Sequence, residues 1–149
     1  MKKVMLLGMG VMLLWSCNNA SEKSTPEQET KTEHHHDEKT DAVELNNGEK
    51  WIVNEEMKPY VSKGEELVNA YIQNHETDYK TLAKQLNEQN EQLVKSCTMD
   101  GKSHDELHKW LHPHLETVKA LENETDATKA KEMLLQLQNS YQQYHQYFN

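Results

Sequence analysis

Hydrophobic residues are distributed along this 149-residue chain in three regimes. From Val4 to Trp15 they run together without a charge. From Asn18 to about Lys50 they nearly vanish, Ala20, Pro26, Ala42, Val43 and Leu45 being almost the whole apolar content. From Trp51 to Phe148 they return at intervals of three and four, the period of a helix with one buried face.

That last region predicts an all-α domain. After a turn at Asn46-Asn47-Gly48 and a short apolar stretch, Trp51-Ile52-Val53, four amphipathic segments follow, with no strand-like alternation of any length. The first spans about Glu55 to His75, capped by Asn54 and delayed by Pro59, with Tyr60, Gly64, Leu67, Val68, Tyr71 and Ile72 on one face. The second runs from near Asp78 to near Cys97 on Tyr79, Leu82, Leu86, Leu93 and Cys97, a stripe broken by Gln89 and Asn90. The third opens after the Asp100-Gly101-Lys102 turn on a Ser103/Glu106 capping box, turns Leu107, Leu111, Leu115, Val118 and Leu121 inward, and kinks at Pro113. The fourth spans about Thr125 to Phe148, with Ala127, Ala130, Met133, Leu134, Leu137, Tyr141, Tyr144 and Phe148 inward. Short connections favour antiparallel neighbours, hence an up-down-up-down four-helix bundle over residues 51–149, about 99 residues and one core.

The first regime has a different meaning. Lys2 and Lys3 precede an apolar run too short to span a bilayer, the layout of a secretory signal. It ends in Leu14-Trp15-Ser16-Cys17, which resembles the lipobox of bacterial lipoproteins, with Trp15 bulkier than usual for its slot. The resemblance implies cleavage after residue 16 and acylation at Cys17, which would tie the chain to a bacterial envelope membrane, periplasmic or surface-facing. Residues 17–50 then form a lipidated, disordered tether, because such a composition cannot bury enough surface to offset the entropy of ordering. The His34-His36 run within it, between Glu33 and Asp37, reads first as solvated tether and second as a weak metal-binding patch.

Charge narrows the partners. The chain carries −9, and about −11 once Lys2 and Lys3 are removed, which disfavours nucleic acid. All 16 basic residues are lysine, so the bidentate arginine fork for phosphate is missing. With Cys17 consumed by lipid, Cys97 is a lone thiol in an oxidising compartment.

Around that thiol lies the densest chemistry in the chain. Cys97, Met99, His104 and His108 bring a thiol, a thioether and two imidazoles into one turn and the helix after it. Soft sulfur and imidazole donors suit Cu(I) or Zn. His104 and His108 are four apart and share a helix side, whereas His112 and His114 are expected to rotate outward. In an up-down bundle Met57 and His145 reach the same end and join the metal ligands, while His75 and His114 do not. Read singly, each of these residues is an ordinary core or solvated side chain.

Sharper chemistries do not fit. His104-Asp105-Glu106-Leu107-His108 lacks the Glu directly after the first His that a zinc protease needs. Cys97 has no nucleophile elbow, and no Cys-x-x-Cys-His is present, so neither a hydrolase nor covalent haem is expected. A noncovalent haem held by Met57 and His145 would resemble cytochrome b-type bundles, but nothing else around them matches, and no haem is expected. The order Trp51, Pro59, Cys97-x-Met99, His104-Asp105-Glu106-Leu107-His108, Trp110-Leu111 resembles the signature of small uncharacterised bacterial envelope lipoproteins. That resemblance implies a helical, noncatalytic domain linked to metal handling in the envelope. The alternative is an adaptor module with a protein partner there.

Overall fold

The computed structural model describes residues 42–149; the expected signal segment 1–16, Cys17, the His34–His36 run and the expected tether as far as 41 lie outside the described residues. The periodic segments form α1 (Lys58–Gln73), α2 (Tyr79–Ser96), α3 (Gly101–Asn123) and α4 (Ala127–Tyr147). Among the described residues there is no strand, only the isolated bridges Asn46↔Glu49 and Trp51↔Phe148. Each helix packs against the next, and α4 closes against α1, so the four surround one core.

Local chemistry sets the helix ends. Asp78 and Asp126 cap α2 and α4 with their carboxylates, which take the N–H of Thr81 (3.1 Å) and those of Thr128 and Lys129 (2.8 and 3.3 Å). Asn54 does not cap α1: Pro59 sits in the first turn and the helix begins only at Lys58, behind Met57, with no side-chain cap. Nor is there a Ser103/Glu106 capping box. Helix α3 starts three residues earlier, after Asp100, so Ser103 is already helical and its hydroxyl donates to the Asp100 carbonyl at 2.9 Å. The helix continues through Pro113 to Asn123. At the end of α1, His75 adopts φ 55°, with Glu76 N–H bonding Tyr71 O (3.1 Å) and His75 N–H bonding Ile72 O (3.3 Å), a Schellman closure without its usual glycine.

The inward stripes are those the spacing marked, with informative exceptions. Val61, Ala83 and Trp110 join the core, Ala127 is exposed, and Asn90, the break in the α2 stripe, is buried with its Nδ2 lacking a hydrogen-bond partner. Helices α1 and α4 approach closely at Gly64, where a Cβ would overlap the Tyr141 hydroxyl. On the same seam Gln138 Nε2 donates to Asn69 Oδ1 at 3.1 Å.

Residues 42–50 are not part of a free tether. Val43 is buried in the core. Glu44 N–H donates to Glu106 Oε2 (2.8 Å), and the Trp51 indole N–H donates to Glu44 O (2.6 Å). Between them Asn47 and Gly48, at φ 53° and 92°, make a tight reversal closed by Asn46 and Glu49. The chain then runs beside its own C-terminus: Trp51 N–H bonds Tyr147 O, Asn149 N–H bonds Trp51 O and Val53 N–H bonds Asn149 O. That extended pairing buries Trp51 and Val53 and leaves Ile52 outside. A short polar segment can be held this way because long-range hydrogen bonds and one buried valine replace the apolar stripe it lacks.

Candidate functional site

Helix α3 presents three imidazoles in a row. His104, His108 and His112 are successive i, i+4 positions and stack on one side of the helix. His108 Nε2 lies 3.1 Å from His104 Nε2, and His108 Nδ1 lies 2.9 Å from His112 Nε2. The ring centroids are 4.3 and 5.0 Å apart. In each contact one ring nitrogen can donate and the other accept, the tautomers setting which. His104 and His108 are half-buried and His112 is exposed, so the row runs from the bundle's flank outward. His112 does rotate outward as expected; its link to His108 was not anticipated.

The other expected ligands are dispersed. Cys97 is a free, half-buried thiol at the end of α2. Its turn is clasped from both sides by Asn54, whose Nδ2 donates to Ser96 O (2.9 Å) and whose Oδ1 accepts from Thr98 N–H (3.2 Å). This brings the start of α1 to the second connection and gives Asn54 a positioning role in place of capping. Met99 packs, half-buried, against the core. Met57 is wholly buried as a core side chain, and His145 Nε2 pairs with Glu65 Oε2 at 2.7 Å on the α1/α4 seam. Among the described residues no group of three or more His, Cys, Asp or Glu side chains is arranged to hold a metal ion.

Glu106, between the two half-buried histidines, faces the other way. It is buried, and burial alone pushes its carboxyl up; the Glu44 N–H and the Lys109 ammonium, 2.9 Å away, outweigh that and hold it below the usual carboxylate range.

His114 corrects the sequence reading outright. It does not rotate outward but is buried, its ring stacked on Trp110 (5.1 Å) and edge-on to Tyr141 (4.9 Å). Nδ1 lies 3.0 Å from Ser140 Oγ, Nε2 has no hydrogen-bond partner, and burial pushes the imidazole down to about 4. The stripe of Leu107, Leu111 and Val118 leaves room for a fourth inward position on the Trp110 side, and His114 fills it with Trp110. Its i, i+4 spacing from Trp110 was the available signal. Asn54 and Ser140 gave none, because their partners are 42 and 26 residues away.

No helix among the described residues is long and apolar enough to cross a membrane. No family model, curated protein or solved structure matches this chain.

Proposed function

We propose that this chain is a noncatalytic, lipid-anchored protein of the bacterial cell envelope that holds a transition-metal ion on α3, as buffer, sensor or carrier. The observation that carries the reading is the 3.1 Å separation of the His104 and His108 ring nitrogens. An ion about 2.0–2.1 Å from each would see them about 100° apart, near the tetrahedral angle. A linear two-coordinate ion would need them about 4 Å apart, so the pair fits zinc, or Cu(I) with additional ligands, better than linear Cu(I). His104 and His108 would hold the ion; Cys97 and Met99, on the connection leading into α3, are the nearest soft donors along the chain and would have to move toward the pair to complete the set, since among the described residues no three His, Cys, Asp or Glu side chains are grouped for a metal. Met57 and His145, committed to the core and to Glu65, are left out of the set. A site with two fixed imidazoles and open positions exchanges its ion readily, which suits carriage more than permanent structural retention.

The test uses the full chain with His34, His35 and His36 changed to alanine, so that only the domain competes. Zinc and Cu(I) binding are each measured against a chromogenic chelator. One ion per chain is expected, with affinity falling as pH falls and protons compete for imidazole and thiol. His108→Ala should weaken binding most, because that ring makes both contacts. If the chain competes no better than its His104→Ala/His108→Ala variant, the metal reading fails and an adaptor with a protein partner takes its place.

A further inference from the structure

The seam between α3 and α4 carries a groove of ≈ 440 Å³ on the His114 side of the bundle. Thr117, Gln136, Asn139 and Gln143 form its walls, and Ser140 and His114 its floor, with Pro113 and Trp110 completing the lining. None of these residues is charged, although 28% of the chain is. The groove between α2 and α3 is the contrast: Lys84, Glu88, Glu91, Lys95 and Glu122 all line it. The neutral groove is also rigid at its base. The Trp110 indole N–H donates to Ser140 O at 2.8 Å, and Ser140 Oγ meets His114 Nδ1 at 3.0 Å.

That Ser–His pair is not set up for turnover. To act as a nucleophile Ser140 would have to give its proton to His114, creating an imidazolium among Trp110 and Tyr141 with no carboxylate in contact. Its chemistry is recognition. The buried His114 Nε2 has no hydrogen-bond partner among the described residues, and the Ser140 hydroxyl, held against Nδ1, can turn to donate or accept. Three carboxamides on the walls each offer a donor pair and an acceptor. Such a set satisfies hydroxyl and amide groups and offers no counter-ion to a charged one. The exposed Pro113 ring supplies an apolar face beside them.

We propose that this groove binds a neutral ligand rich in hydroxyl and amide groups, a short N-acetylated oligosaccharide. The proposal is independent of the metal on α3, since His104 and His108 do not line the groove. It is tested by titrating the full chain with chitotriose and following side-chain amide and indole N–H signals by NMR. Saturable shifts are expected at Gln136, Asn139, Gln143 and Trp110. Asn139→Ala/Gln143→Ala, both at exposed positions, should weaken binding about tenfold or more without moving the melting temperature. The cationic chitosan trimer and anionic trigalacturonate should bind at least about tenfold more weakly. Absence of saturable shifts, shifts located elsewhere, equal binding of a charged trimer, or binding indifferent to the double variant would each overturn the assignment.

Discussion

A methyl group at Gly64 would overlap the Tyr141 hydroxyl, and Tyr141 is itself buried. Alanine in a helix interior ordinarily gains up to about 1 kcal/mol over glycine, whereas overpacking costs about 1–3 kcal/mol. Gly64→Ala should therefore destabilise the bundle in urea unfolding, and Tyr141→Phe in the same chain should recover part of the loss. A stabilised Gly64→Ala variant would show that the two helices are not in contact there. His114 sets a pH dependence. Its folded pKa of about 4 lies below the ordinary 6.5, so the unfolded chain binds the proton first. The neutral ring's contribution is complete above pH 6.5 and lost as pH falls from 6.5 toward 4, on the order of 3 kcal/mol in all. His114→Phe should flatten the stability profile across that window; an unchanged profile would place the titrating group elsewhere. The carboxylates held low by caps and hydrogen bonds, such as Asp126 and Glu106, act only at more acid pH.

At the scale of the element, the ends of the helices were less legible than their faces. Aspartates before α2 and α4 cap as their type suggests, but α1 and α3 begin where tertiary contacts place them. Asn54 spends its amide on the Cys97 turn, and Glu106 spends its carboxylate on Glu44 and Lys109. The C-terminus of α1 carries an avoidable strain, since His75 occupies the left-handed region at φ 55°. His75→Gly should stabilise the domain by about 1 kcal/mol in denaturant unfolding while leaving metal affinity unchanged, because the residue has no part in the α3 row. If stability does not rise, the Schellman closure of α1 is not the conformation held in solution.

At the scale of the whole molecule, residues 42–53 tie the start of the described domain to the end of α4 and, through the Glu44 N–H on Glu106, to the helix that carries the histidine row. For the proposed anchor, Cys17→Ser is expected to abolish incorporation of a labelled fatty acid, because Cys97 is the only other thiol. Label that survives the substitution would remove the lipoprotein reading.

Helix number, helix type and most inward residues were readable from spacing, because one buried face per helix imposes a period of three and four whatever the helix packs against. The i, i+4 relation of His104 and His108 was readable for the same reason: it is a property of one helix. Tertiary structure alone decided that Val43 is buried in the core and the Glu44 N–H meets Glu106, that Asn54 clasps the Cys97 turn, that Met57 is a core side chain and that His145 pairs with Glu65. It also decided that His114 lies inside against Ser140. Each of these depends on which neighbour a side chain meets across the bundle, and periodicity along a single helix carries no information about the partner's register.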